Sequence, residues 1–405
     1  MSKKKSQKKW IKFRHKVITA IAYVVLYPIA KLKYNIKIEK FSGDRKRAYL
    51  ILLNHQTPFD QFFVGMTFKK AIYYLATEDL FSMGFVSDLI RWVVAPIPIR
   101  KQTTDITAVM NCIRVAKEGG SICIAPEGNR TYSGQTEYMN PSIAALAKKL
   151  NLPVAIYRIE GGYGAEPRWS DGVRKGKMRA FVSEVIEPEK LKTMSNEELF
   201  EKIEKGLYVN EAVADCEFLS SKRAEYLERA IYVCPDCGLA KWVSSGNKIS
   251  CTKCGKEIAY CENKMLRCEN GEFPFDFVLD WYNYQKEFVN TLNLEEYTEK
   301  PLFTDVANIS EVIVFKRKEK MFENAEISLF GDRIVISSGQ ENLIFPFDST
   351  DAVTVLGRNK CNIYFGGRVY QLKGDKRFNA LKYVNIYHRC KNMLKGEGNE
   401  QFLGL

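Results

Sequence analysis

The 405-residue sequence contains only three histidines, His15, His55 and His388, so imidazole chemistry has few places to occur. It has no run of about 18 consecutive apolar residues, the length a membrane-crossing helix needs. The longest approach, Val17 to Ala30, contains Pro28, and no spanning helix is expected on that count. No small-residue cleavage site follows Ala30, which argues against a removable signal peptide. Internal repeats are absent, and low complexity is confined to the first sixteen residues; by length and composition, disorder throughout, collagen and a disulfide mini-protein are excluded. Those sixteen residues hold no acid but seven Lys and one Arg, so they carry +8 of the net +13. The basic excess is therefore mostly a tail.

What the sequence does contain begins directly after that tail. Trp10, Phe13, Val17, Ile18 and Ile21 recur at helical spacing among lysines. A helix lying in an anionic membrane interface has this pattern, and so does an ordinary basic tail followed by a core helix. We assign residues 1–32 as a membrane-associating segment on the cytoplasmic side of the cell membrane, peripheral rather than spanning. Six of eleven cysteines fall between Cys234 and Cys268, a clustering that favours metal over disulfides and a reducing compartment.

From Ala48 to Ile186 short apolar runs alternate with helical segments. Ala48 to Leu53, Ala71 to Ala76, Ser121 to Ala125, Pro153 to Ile159 and Ala180 to Ile186 read as buried strands; Ile106 to Lys117 and Ser142 to Leu150 have helical periodicity. This predicts an α/β domain over 33–194, a largely parallel sheet flanked by helices, with ligands beyond the carboxyl ends of the strands. A charged helical linker follows at 195–230, capped by Ser195 or Asn196. Residues 263–300 form an aromatic connector whose Trp281, Tyr282, Tyr284 and Phe288 are expected to pack modules together. Residues 301–405 read as a meander of antiparallel strands, with turns at Gly331-Asp332, Gly357-Arg358-Asn359 and Gly366-Gly367. It ends in a helix over about Lys376 to Met393 that buries Phe378, Leu381, Val384 and Tyr387. Strands closed by one terminal helix resemble a pleckstrin-homology or GRAM-like domain.

His55 stands directly after a buried strand in Asn54-His55-Gln56-Thr57-Pro58-Phe59-Asp60. A polar turn there lets Asp60, at the start of the next helix, reach the imidazole. A carboxylate on one ring nitrogen fixes the tautomer and stabilises the imidazolium, leaving the other nitrogen to take a hydroxyl proton. Asp60 is alternatively a simple helix cap. A second strand end carries Pro126-Glu127-Gly128-Asn129-Arg130, where Gly128 permits close backbone approach and Arg130 offers a fork suited to phosphate. Ile97-Pro98-Ile99-Arg100 brings another arginine to a third strand end. Cys112 and Cys123 read as small core residues.

These blocks resemble, in order, the motifs of the glycerolipid acyltransferase family typified by 1-acyl-sn-glycerol-3-phosphate acyltransferase. Asn54-His55 through Asp60 matches NHxxxxD, Ile97 to Arg100 the second block, Pro126 to Arg130 the third and Leu152-Pro153-Val154 the fourth, together covering about Lys33 to Pro188. Asn129 stands where the third block usually has Thr or Ser, and the second block lacks the glycine often found before its arginine. The resemblance implies acyl transfer from coenzyme A or acyl-carrier protein to a lysophospholipid hydroxyl, giving phosphatidic acid, with no redox cofactor. His55 would be the base and Asp60 its partner. Arg100 and Arg130 would hold the acceptor phosphate, with Gly128 beside it and Glu127 positioning Arg130 or a glycerol hydroxyl.

Cys234-Pro-Asp-Cys237-Gly and Cys251-Thr-Lys-Cys254-Gly are two CxxCG knuckles separated by 13 residues. Four thiolates make a closed tetrahedral set, and a glycine after each second cysteine permits the tight turn; residues 231–262 are read as a structural zinc ribbon. A redox CxxC pair and an iron cluster, the latter through Cys261 and Cys268, are the other readings of these thiols. Zinc ribbons also occur in nucleic-acid adaptors, and Lys241, Trp242, Lys248, Lys253 and Lys256 fit one, but Glu257, Glu262 and Glu269 dilute the charge. A nonenzymatic membrane scaffold is the remaining class.

Overall fold

The computed structural model describes residues 9–99, 105–313, 316–339, 341–396 and 402–404. The chain divides into two units that interleave in sequence: 1–129, 138–161 and 177–209 form the first, and 130–137, 162–176 and 210–405 the second.

The first unit opens with α1 (Phe13–Tyr34) and β1 (Ile36–Ile38), then continues β2 (Leu50–Leu53), α2 (Asp60–Phe68), β3 (Ile72–Thr77), α3 (Phe85–Val93), β4 (Ile97–Ile99), α4 (Ile106–Lys117), β5 (Ser121–Ile124), α5 (Ser142–Leu150) and β6 (Val154–Glu160). After the short α6 (Gly162–Ala165) of the second unit it closes with β7 (Met178–Ile186), α7 (Pro188–Thr193) and α8 (Asn196–Leu207). The sheet order is β1-β7-β6-β2-β5-β3-β4, and every neighbouring pair is parallel except β6 and β7. All residues of β2 and β5 are buried, as expected of central strands covered on both faces, where apolar runs replace alternation. Leu50, Leu52, Ile122 and Ile156 share a core with Val115 of α4, Ala144 and Ala147 of α5, and Leu199 and Ile203 of α8. Ser195 and Glu198 cap α8 reciprocally, Ser195 Oγ accepting from Glu198 N and Glu198 Oε2 from Ser195 N. Within the 195–230 stretch the one α-helix is α8, which belongs to the first unit; a 3₁₀ turn at Leu227–Arg229 belongs to the second.

α1 departs from two expectations. Its 22 residues run through the exposed Pro28 without ending, and by length and composition it is long and apolar enough to cross a membrane. Counting consecutive apolar residues underestimated it because Lys and polar residues are gathered at its ends. Trp10 lies before the helix, and its indole N–H donates to the Ala95 carbonyl at 2.9 Å rather than extending the apolar stripe.

The second unit carries a hairpin, β8 (Val233–Cys234) with β9 (Gly238–Leu239), and a four-stranded antiparallel sheet, β10 (Trp242–Ser245), β11 (Lys248–Cys251), β12 (Glu257–Tyr260) and β13 (Leu266–Cys268). Then α9 (Val278–Thr291) leads into β14 (Phe303–Val312), β15 (Lys318–Leu329), β16 (Arg333–Ser338), β17 (Glu341–Pro346), β18 (Ala352–Leu356), β19 (Lys360–Phe365) and β20 (Arg368–Gly374), closed by α10 (Leu381–Leu394). These seven strands form an antiparallel half-barrel in the order β17-β16-β15-β14-β20-β19-β18, so the last strand returns beside the first. Trp281 and Tyr282 of the aromatic segment are buried in the core of this unit, with Tyr284 and Phe288 packed against it. Trp281 of α9 is fully buried, meets the Trp242 ring edge-on at 4.7 Å and donates from Nε1 to Val233 O at 2.9 Å, within one core that includes Ile309, Ile327 and Leu372. Truncating such a residue costs about 3–5 kcal/mol.

Candidate active site

β2 and β5 are adjacent and parallel, with Leu52 beside Ile124, so the loops that follow them leave the sheet at the same edge. One carries His55 and the other Glu127. The imidazole Nδ1 of His55 lies 2.7 Å from Asp60 Oδ2. Asp60 is at the first position of α2 and 1% exposed, yet its carboxylate is not left wanting: Oδ2 also accepts from the Gln56 N–H at 2.7 Å, and Oδ1 from the Thr57 N–H at 2.9 Å and the Thr57 hydroxyl at 2.7 Å. A buried carboxylate surrounded by donors requires Nδ1 to carry its hydrogen toward Asp60, which leaves Nε2 as the basic nitrogen. The His55 side chain is 29% exposed, so it remains reachable from solvent. The helix-cap reading of Asp60 does not hold: Phe59 occupies the cap position without a side-chain bond, and the Asp60 carboxylate turns back to order the loop before the helix and orient the imidazole.

Glu127 is buried, and its Oε1 accepts the backbone N–H of His55 at 2.9 Å, joining the two loops. That contact is not readable from sequence spacing, which pointed Glu127 toward Arg130. Gly128 sits at φ +66° with open space where a Cβ would be, and its N–H donates to Ala125 O at 3.0 Å. This is a left-handed turn that glycine adopts without strain. Arg130 belongs to the second unit, where its carbonyl accepts from Arg168 Nη1 at 2.9 Å. Arg100 lies outside the described residues. β4, which precedes it, is parallel to β3.

Asn54 and Gln56 had no assigned role from sequence. The Asn54 amide grips β6 in both directions, donating to Ile159 O and accepting from Ile159 N, each at 2.8 Å, and so fixes the start of the His55 loop. Gln56 is 1% exposed with neither side-chain polar atom paired, a costly arrangement at the edge of a site. Phe59 packs on Tyr34 of α1 at 5.4 Å, with Lys33 Nζ 4.3 Å from its ring centroid, so the loop between His55 and Asp60 rests directly on the end of α1. Cys112 and Cys123 are buried core residues; burial pushes the Cys112 thiol up to about 12 and Cys123 well above its ordinary value, so neither is an activated nucleophile.

In the second unit the ligand atoms of Cys234, Cys237, Cys251 and Cys254 all lie within 4.8 Å of one another, a set that could hold a metal ion. Cys234 Sγ and Cys254 Sγ are 3.8 Å apart, close to the ~3.8 Å edge of a tetrahedron with metal–sulfur bonds of about 2.3 Å. Gly238 and Gly255 have φ of +68° and +72°, the turns their place in the knuckles requires. Cys261 and Cys268 are not part of this set among the described residues.

Residues 34–159 match the family model described as Acyltransferase. The chloroplastic 1-acyl-sn-glycerol-3-phosphate acyltransferase LPAT1 of Arabidopsis thaliana is 22% identical over 192 residues, 46% of this chain and 52% of that protein. The chloroplastic 1-acyl-sn-glycerol-3-phosphate acyltransferase BAT2 of Brassica napus is 22% identical over 181 residues, 43% of this chain and 51% of its own length. The chain thus spans about half the length of the curated relatives it matches. Among solved structures, the 1-acyl-sn-glycerophosphate (LPA) acyltransferase PlsC from Thermotoga maritima aligns with a TM-score of 0.37 at 22% identity, covering 48% of this chain and 75% of that one. His55, Asp60 and Glu127 all lie within the segment that matches the acyltransferase family model, and over part of its length the chain is similar to 1-acyl-sn-glycerol-3-phosphate acyltransferases.

Proposed function

We propose that the protein transfers a fatty acyl group from a thioester, on coenzyme A or acyl-carrier protein, to the free hydroxyl of 1-acyl-glycerol-3-phosphate, making phosphatidic acid. The observation that carries this reading is the 2.7 Å contact between His55 Nδ1 and the buried Asp60 carboxylate at the end of a central strand. With Nδ1 committed to Asp60, Nε2 takes the proton of the acceptor hydroxyl as its oxygen attacks the thioester carbonyl carbon. The new C–O bond forms, the C–S bond breaks, and the imidazolium returns the proton to the departing thiolate. Asp60 stabilises the imidazolium between these steps; a positioned base of this kind is worth typically 10²- to 10⁴-fold. Arg100 and Arg130 are assigned to the acceptor phosphate, with Gly128 giving the backbone room to approach it. Glu127 keeps the His55 backbone in place.

The acceptor is a lipid, and α1 with its basic flank supports residence at an anionic cytoplasmic membrane surface. Zinc on Cys234, Cys237, Cys251 and Cys254 would be structural, because a closed four-thiolate set has no position left for a substrate. The strand order of the half-barrel and its terminal helix support a PH/GRAM-like assignment for 301–405. The test is direct: labelled acyl-coenzyme A and acyl-carrier protein are offered with 1-acyl-glycerol-3-phosphate and a panel of other lysophospholipids. Phosphatidic acid as the main product supports the reading, another diacyl lipid moves the acceptor, and no product with any pair overturns it. Removing residues 1–16 is expected to weaken binding to anionic vesicles at low salt; unchanged binding contradicts the role of the tail.

A further inference from the structure

α3 is a nine-residue helix in which the sole buried residue is a serine, Ser87. Ser87 Oγ donates to Leu80 O and accepts from Met83 N, both at 2.7 Å, and so ties the helix to the preceding turn. The apolar residues do the opposite of what a core helix requires: Phe85 is 80% exposed, Val86 50%, Leu89 48% and Trp92 54%. At 100° per residue these four fall on one face, while Asp88 and Arg91 project from another. A helix this short is marginal in water unless its apolar face is packed against something.

What covers the face is indicated by its surroundings within the same unit. The other end of α3 is pinned to α1: Arg14 Nε donates to Trp92 O at 2.8 Å and the guanidinium lies 5.0 Å from the Trp92 ring centroid. α1 itself exposes Phe13, Ile21, Val24 and Leu32, and no acid occurs before Glu39, whereas Lys9, Lys12, Arg14 and Lys16 are clustered at its start. Outward apolar and aromatic side chains beside an unbalanced basic cluster complement an anionic lipid surface rather than a soluble partner. At about 13 Å long α3 cannot cross a bilayer, so it would lie along the interface. It also belongs to the connection that leaves β3 at the sheet edge bearing the His55 loop, since β3 is parallel to β5.

We propose that α3 is a second membrane-contact helix, which seats Phe85, Val86, Leu89 and Trp92 in the interface of an anionic bilayer independently of α1. The proposal rests on the reading that the acceptor is drawn from a membrane. It is tested on the full chain by combining Phe85→Ser, Leu89→Ser and Trp92→Ser. These side chains are exposed, so the fold should persist, and the single variant Leu89→Ser together with circular dichroism guards against misfolding. Vesicles of phosphatidylcholine with and without phosphatidylglycerol, some carrying brominated acyl chains, are the probe. The triple variant is expected to lose about tenfold or more in affinity for anionic vesicles. Bromolipid quenching should be present in the parent and reduced in Trp92→Phe. Turnover of bilayer-borne lysolipid should fall while turnover of a short-chain, monomeric acceptor stays near the parent's. Parent-like partitioning of the triple variant, with Trp92 unquenched, overturns the proposal but leaves the membrane reading standing through α1. Failure of the parent itself to bind vesicles overturns both, and self-association lost in the triple variant would assign the face to a second copy instead.

Discussion

Replacing Asp60 with Asn keeps the shape of the side chain and removes its charge, which isolates what the carboxylate does. In the parent, four donors converge on it: His55 Nδ1, the Gln56 and Thr57 amides and the Thr57 hydroxyl, all at 2.7–2.9 Å. An amide can keep its carbonyl toward His55 and Gln56, but its NH2 then faces the Thr57 N–H, and one buried donor pair is left opposed. Charge-assisted bonds are worth about 1.5–3 kcal/mol against about 0.5–1.5 for neutral ones. Weakening several and orphaning one donor should cost about 3 kcal/mol of stability, read as a shift in the denaturant midpoint at constant slope. The catalytic loss should be larger in proportion. The imidazolium formed during proton transfer loses its counter-charge, and kcat is expected to fall by about 10³-fold or more with the acceptor KM within a few fold. The assay is steady-state acyl transfer on a folded, purified variant. A kcat within tenfold of the parent would refute the assignment of Asp60 as the partner of a general base and leave it a residue that orders the loop before α2.

Glu127→Ala removes the acceptor of the His55 N–H and should lower kcat by about 10²-fold through misplacement of the loop, with Glu127→Gln, which keeps an acceptor oxygen, recovering most of it; equal losses in both variants would assign the charge itself a role. Elemental analysis should find zinc bound per chain, and stripping it or making Cys251→Ser should lower the melting temperature and the near-ultraviolet signal of the buried Trp242 and Trp281; a metal-free protein that melts like the parent contradicts a structural site. Burial holds the His388 imidazole down to about 4, below its ordinary 6.5, so the neutral form is favoured in the folded state. Its contribution is complete above about pH 6.5 and is lost as pH falls toward 4, at most about 3 kcal/mol; His388→Gln should flatten that part of the stability profile, and an unchanged profile would contradict the burial argument.

The parallel core was legible because continuous apolar runs bounded by turn residues have few other homes in a chain this long. β2, β5 and β6 and the helices α4 and α5 fall where the periodicity places them. The meeting of His55 with Asp60 was legible for the same reason: a residue after a buried strand and one beginning the next helix, five positions on, are brought together by a single turn. Three features were not. Glu127 reaches the His55 backbone only because β2 and β5 are neighbours, a pairing that sequence order does not imply. The interleaving of 130–137 and 162–176 with the second unit depends on long-range packing, so Arg130 falls in a different unit from the block that precedes it. α3 has an ordinary amphipathic pattern, and whether such a face is covered by protein or turned outward is a property of the tertiary fold.

The most direct test of the account is the rate of acyl transfer from coenzyme A and acyl-carrier protein thioesters to 1-acyl-glycerol-3-phosphate by the parent and by His55→Ala, compared at equal folded concentration. The account predicts phosphatidic acid from the parent and a kcat lower by at least about 10³-fold in the variant; near-parental turnover without His55 would contradict it.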